Sequence, residues 1–319
     1  MMLTIQEIRE ARERIAPYIV KTPMIRLQAL DEILGCEVYI KAENMQMTGA
    51  FKLRGAMNRA LSLTEEERKN GFVCASSGNH GKGVAYAAKL LGTKATVIMP
   101  LSASEIKLSG LRKLGATVVQ CDVTERFAMA EKICNEQGAV MIPPFNNEYV
   151  MAGQGTAGLE IAEQCPEVDK VIIPVSGGGL LSGVAVALKE TLKDVKVYGA
   201  EPAALPRYTA SLAAGEITKV EFKPTQADAL MAQTPGDKCF PTVQKYADGV
   251  VPVTDEDMYR GMKLLLTEGK ILAEPSSCIG IGAVLSGALK VEKGEKVCFL
   301  ISGGGVGLDQ IAKLEEVTI

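Results

Sequence analysis

One lysine and three small-residue turns carry most of the chemistry open to this chain. Lys52 lies in Thr48-Gly49-Ala50-Phe51-Lys52-Leu53-Arg54-Gly55-Ala56, and 24 residues beyond it the chain reads Ser76-Ser77-Gly78-Asn79-His80-Gly81. Two glycine runs follow, Ser176-Gly177-Gly178-Gly179 and Ser302-Gly303-Gly304-Gly305, each directly after an apolar, strand-like segment. A reactive amine and glycine turns behind strands suit an anionic cofactor held against a lysine. His80 is the only histidine in 319 residues. That excludes a His-based zinc site, and a Ser-His-Asp or Cys-His engine would have to run through this one residue.

The glycine turns specify the anion. A dianionic phosphate needs several donors without steric bulk, and backbone N–H groups at a helix N-terminus supply them. Val171 to Val175, then Ser176-Gly177-Gly178-Gly179, then a helical Leu180–Leu188 pattern is that arrangement. A cofactor aldehyde needs an unprotonated lysine, and burial lowers a lysine pKa by disfavouring the charged form. Lys52, between Phe51 and Leu53, is placed for such a setting. Together these features point to pyridoxal 5'-phosphate.

The elements that must position these residues alternate along the chain. Thr4-Ile5-Gln6-Glu7 is a capping box opening a helix through about Arg14. Strands are expected at 38–40, 73–75, 95–99, 117–120, 171–173, 195–198, 249–253 and 297–300, with helices at 52–63, 81–91 and 104–114 among those between them. Mostly continuous apolar strands spaced by amphipathic helices argue a parallel sheet covered on both faces. The segment Phe145-Asn146-Asn147-Glu148 is the expected crossing between domains: a large domain from 1–70 and 148–319, and a small one at 71–147. Gly153-Gln154-Gly155-Thr156-Ala157-Gly158 matches the dinucleotide pattern but lacks a preceding strand. Packing of a helix through small residues is the reading it supports, and a nicotinamide-dependent oxidoreductase would rest on this match alone.

Composition narrows the class. Net charge is −3, with 47% hydrophobic and 23% charged residues, so nothing argues for nucleic acid or an anionic membrane. No apolar run reaches the roughly 18 residues of a membrane span, and the charged, amphipathic start is not a signal-peptide pattern. Eight cysteines without a CxxC pair read as reduced thiols in a cytoplasmic protein.

At the lysine and Ser-Ser-Gly-Asn-His motifs the chain resembles fold-type II pyridoxal phosphate enzymes of the serine/threonine dehydratase and serine racemase group. The likeness runs nearly the whole length, through Ala152-Gly153-Gln154-Gly155-Thr156, Tyr198-Gly199-Ala200-Glu201-Pro202 and Leu272-Ala273-Glu274-Pro275. It implies a tryptophan synthase β-like α/β fold: two open parallel-sheet domains with the cofactor in the cleft between them, in a homodimer. By this resemblance Lys52 is the Schiff-base lysine, flanked by Phe51, and Asn79 the partner of the cofactor's phenolic oxygen. Ser176, Gly177, Gly178 and Gly179 form the phosphate loop, and Ser302 faces the pyridine nitrogen. Ser76, Ser77, Gly78, Asn79 and His80 correspond to the segment gripping the substrate carboxylate.

The implied chemistry is dehydration of a β-hydroxy amino acid to a 2-oxo acid and ammonia, with the freed Lys52 amine taking the Cα proton and the hydroxyl leaving through the cofactor phosphate. A serine facing the ring nitrogen makes a weaker electron sink than a carboxylate, which suits elimination. A racemase on the same cofactor is the alternative, since Ser77 could return a proton on the face opposite Lys52. A β-replacement synthase would typically carry threonine where His80 stands.

Several positions depart from the family pattern. Lys82 replaces a usual glutamine, Ser176 a frequent glycine, and Gly305 a usual asparagine. Arg207 falls where some relatives carry an acid for a divalent ion, so no metal is expected. The chain ends soon after Leu308, and feedback through an appended C-terminal domain is not expected. Lys82 and Arg126 beside the carboxylate-gripping segment raise 3-hydroxyaspartate as a substrate beside threonine and serine.

Overall fold

A computed structural model describes residues 2–76, 78–101, 103 and 105–319, with only the backbone of Ile106. Among the described residues ten strands form two sheets: β1 (Met24–Arg26), β2 (Glu37–Ala42), β3 (Phe72–Ala75), β4 (Ala95–Pro100), β5 (Thr117–Cys121), β6 (Val140–Met141), β7 (Lys170–Pro174), β8 (Lys196–Pro202), β9 (Gly249–Val253) and β10 (Lys296–Ile301). The larger sheet runs β1-β2-β10-β7-β8-β9 and the smaller β5-β4-β3-β6. All pairings are parallel except β1 with β2, where Met24 stands opposite Lys41. Strand β1 was not expected from the sequence, because three residues carry no readable alternation.

Continuous apolar strands bury both faces. In β7, Ile172 packs into one core with Phe299 of β10, Met262 and Ile281, while Val171 and Ile173 join Cys298, Leu181 and Val184 in the other. The first core is covered by helices Asp255–Thr267 and Ile279–Leu285, the second by Gly179–Lys189 and Glu148–Gln164. The smaller sheet repeats the plan. Phe72 and Cys74 of β3 face the Lys52–Leu61 and Asn79–Leu90 helices, and Val73 and Ala75 face Ala130 and Ile133 of the Arg126–Gln137 helix.

Small residues set the distances between helices. The Gly153–Gly158 run lies inside the Glu148–Gln164 helix, with no strand before it. A Cβ on Gly153 would stand 2.6 Å from the Arg54 carbonyl, and one on Gly155 2.8 Å from that of Gly183. These glycines let helices approach backbone to backbone, which removes the basis for a nicotinamide site. Acidic runs 65–67 and 255–257 open helices capped by Thr64 and Thr254, where carboxylates meet the positive end of the dipole. All eight cysteines are unpaired and seven are buried.

Candidate active site

Lys52 owes its position to a pairing between distant segments. Ala50 bridges Gly303, the Phe51 N–H donates to the Ser302 carbonyl at 3.0 Å, and the Gly304 N–H to that of Gly49 at 2.9 Å. The lysine therefore opens its helix beside the turn that follows β10. From the other side, Gly83 of the Asn79–Leu90 helix packs so closely that a Cβ there would lie 3.2 Å from the Leu53 nitrogen.

Two residues beyond the lysine, Arg54 is fully buried and fixes the helix to its surroundings. Its Nε donates to Glu43 at 2.7 Å and its Nη1 to Glu160 at 2.7 Å, while Lys41 Nζ donates to Glu160 at 2.5 Å. Burial opposes the Arg54 charge, yet the two carboxylates hold its pKa above the usual value. Two cations and two anions thus neutralise one another, as a buried ion cluster must.

The Lys52 ammonium donates to the Pro144 carbonyl at 2.7 Å and stands 5.1 Å from the Phe51 ring centroid. The side chain as a whole keeps some solvent contact, but its amine is enclosed, and burial lowers its pKa to about 8. Such an amine is available as a nucleophile or a base near neutrality.

The glycine turn after β7 opens the Gly179–Lys189 helix. Among the described hydrogen bonds none uses the N–H of Ser176, Gly177, Gly178 or Gly179, leaving these donors for an anion. The Phe145 ring lies on the turn, and a Cβ on Gly177 would overlap it. Gly178 has φ +101°, a conformation that favours glycine.

Around Ser302 the hydroxyls are paired. Ser302 Oγ lies 2.9 Å from Ser277 Oγ, which also accepts the Gly303 N–H at 2.8 Å. Asn79 Nδ2 donates to Glu274 Oε1 at 2.8 Å and to Oε2 at 3.0 Å. Glu274 is buried and its pKa is raised by desolvation. Glu274, Ser277 and Pro144 had no assigned role in the sequence, since their parts depend on tertiary pairing. The Glu274 motif was legible, but its partner Asn79 is 195 residues away.

The remaining expected residues lie in varied settings. Ser76 Oγ accepts the N–H of Gly78 at 3.3 Å and of Gly81 at 3.1 Å, shaping the turn between β3 and the Asn79–Leu90 helix. Ser77 lies outside the described residues. The His80 ring is buried, with Nε2 2.8 Å from the Ile142 carbonyl, and burial with the nearby Lys52 lowers its pKa to about 3. It is a neutral, packed histidine. Lys82 is half-buried, and its Cε lies beside Gly110 of the neighbouring Glu105–Lys113 helix.

Arg126 Nε donates to the Val123 carbonyl at 3.1 Å on its own turn. A cleft of about 450 Å³ opens beside Pro144, walled by Phe127, Pro143, Phe145, Ile217 and Pro235, with Asp237 as its charged member. Neither Lys82 nor Arg126 is among the described residues lining it. At the Glu201 position, Arg207 is fully buried with its Nε 3.8 Å from the carboxylate, and burial lowers its pKa to about 10.

A buried amine of lowered pKa, four free N–H donors on a glycine turn, and a buried serine pair suit a phosphate-bearing aldehyde with a ring nitrogen. Fold and site together define a fold-type II pyridoxal phosphate enzyme. The chain belongs to the pyridoxal-phosphate dependent enzyme family, whose model matches residues 15–303. It is 43% identical to an L-threonine ammonia-lyase of Thermotoga maritima, over 98% of this chain and 78% of that one. It is 35% identical to an L-threo-3-hydroxyaspartate ammonia-lyase of Saccharomyces cerevisiae, over 98% and 96% of the two chains. The structure of maize serine racemase superposes with a TM-score of 0.94 at 37% identity, covering 99% of this chain and 98% of that one.

Proposed function

We propose that this protein is an ammonia-lyase that converts a β-hydroxy amino acid to a 2-oxo acid and ammonia. The observation that carries the reading is the Lys52 amine, enclosed, lowered to a pKa of about 8 and set between the Ser302 turn and the Ser176–Gly179 turn. Bound pyridoxal phosphate supplies an aldehyde that condenses with amines and a ring that withdraws electrons from the substrate Cα. Lys52 would hold the cofactor, and its Nζ is placed to take the substrate Cα proton. The N–H groups of Gly177, Gly178 and Gly179 would hold the phosphate, Ser302 would partner the ring nitrogen, and the Ser76–His80 segment would orient the substrate carboxylate. Water is lost from Cα and Cβ, and hydrolysis of the released enamine regains it, so the balance is one 2-oxo acid and one ammonia per substrate.

Threonine or serine is favoured over 3-hydroxyaspartate because Arg126 donates to its own turn and Lys82 lies against the neighbouring helix. Residues 71–147, which contain the whole smaller sheet, act as a small domain closing the cleft against the rest. No helix among the described residues is long and apolar enough to cross a membrane, and a cytoplasmic homodimer is the setting that fits the family resemblance.

The test is kcat/KM for threonine, serine and 3-hydroxyaspartate, with 2-oxo acid and enantiomer both measured. Threonine or serine should lead, and Arg126→Ala and Lys82→Gln should leave the ranking unchanged. Preference for 3-hydroxyaspartate, lost in either variant, would restore the acidic-substrate reading. Racemisation is the second reading, favoured by the likeness to maize serine racemase. If it operates, Ser77→Ala suppresses enantiomer formation while elimination persists.

A further inference from the structure

The glycine turn is held from behind by a residue with no assigned part in the site. Glu201, fully buried at the end of β8, accepts the N–H of Tyr208 at 2.9 Å and of Thr209 at 2.7 Å, and the Thr209 hydroxyl at 2.8 Å. These bonds fix the first turn of the Arg207–Ala214 helix so that Arg207 and Tyr208 reach back toward β7. Arg207 Nη1 donates to the Val175 carbonyl at 3.2 Å. The Tyr208 hydroxyl donates to the Gly177 carbonyl at 3.1 Å, and the Gly236 N–H donates to the same oxygen at 2.9 Å.

A peptide unit is planar and trans, so its C=O and N–H point in opposite directions. The Gly177 carbonyl and the Gly178 N–H belong to one unit, as do the Val175 carbonyl and the Ser176 N–H. Tying both oxygens behind the turn aims both N–H groups forward, where neither has a protein acceptor among the described residues. Glycines on both sides of the Gly177–Gly178 peptide leave it free to rotate unless something holds it. The Tyr208 hydroxyl occupies the space that a Cβ on Gly178 would need, while the ring packs on Phe240 at 6.5 Å between centroids.

We propose that Tyr208 is a positioning residue whose hydroxyl locks the Gly177–Gly178 peptide so that its N–H faces the cofactor phosphate. Arg207 does the same for the Val175–Ser176 peptide. The effect is read first in phosphate capture.

The experiment compares pyridoxal phosphate with pyridoxal, which lacks the phosphate, in binding to full-length apoprotein, with the 31P chemical shift of bound cofactor as a second readout. Tyr208→Phe keeps the ring and removes the donor. It should weaken pyridoxal phosphate about twofold to tenfold, the worth of one net hydrogen bond, shift the 31P signal, and leave pyridoxal binding unchanged. Arg207→Met should move the ratio the same way, and it serves as the test if Tyr208→Phe does not fold. Phe240→Leu, which disturbs the packing without touching the carbonyl, should leave the ratio alone. Equal weakening of both ligands, an unchanged ratio in the folded Tyr208 or Arg207 variants, or an equal shift in Phe240→Leu would overturn the proposal.

Discussion

Lys52 and His80 show how burial assigns chemistry to a residue type. Both lose solvent, but Lys52 keeps an amine that exchanges a proton near neutrality, while His80 becomes neutral at every working pH. With a pKa of about 8, roughly a tenth of the Lys52 amine is unprotonated at pH 7, against a few parts in ten thousand for a solvated lysine. Cofactor capture by apoprotein, followed by absorbance, should therefore quicken as pH rises through about 8 and level off above it. A profile still rising steeply to pH 10 would mean an ordinary lysine. For His80 the folded pKa of about 3 lies below the unfolded 6.5, so the unfolded chain binds the extra proton between them. Apoprotein stability should then fall as pH drops through that window, and His80→Gln should flatten this part of the urea-midpoint profile.

At the scale of elements, helices close on one another through glycine. The Glu148–Gln164 and Gly179–Lys189 helices meet where a Cβ on Gly183 would overlap the Met151 carbonyl and stand 2.5 Å from the Gly155 nitrogen. Gly183→Ala should cost about 1–3 kcal/mol, read as a lower urea midpoint with an unchanged slope. Because the Gly179–Lys189 helix carries the phosphate turn, cofactor affinity should weaken with it. Most elements were legible in the sequence. Apolar runs and Thr caps place strands and helices within a few residues of their observed ends, and Lys52 and the glycine turns are readable by type and spacing. What escaped has long-range causes. Strand β1 is three residues long, Glu274 meets Asn79 across 195 residues, and Tyr208 reaches Gly177 only because Glu201 holds its helix. Lys82 lies against the Glu105–Lys113 helix and Arg126 bonds its own turn, contacts that no sequence pattern displays.

Across the whole molecule, two mainly parallel sheets carry the candidate site on the turns at the carboxyl ends of their strands, where ligands bind in open α/β sheets. Turns after β3, β7 and β10 carry Asn79, Gly177 and Ser302, and Lys52 is held beside the last of them by the pairing of Ala50 with Gly303. A ligand contacting all these segments should stabilise the fold as a unit. Pyridoxal phosphate at a hundred times its Kd should add about 2.7 kcal/mol, seen as a higher Tm, and Lys52→Ala should lose much of that gain together with turnover. The central claim is that Lys52 is the residue bonded to the cofactor. Borohydride reduction of the yellow holoprotein followed by peptide mapping tests it most directly. Loss of the yellow absorption and a pyridoxyl adduct on Lys52 are expected. An adduct on another lysine, or a protein that takes up no cofactor, would contradict it.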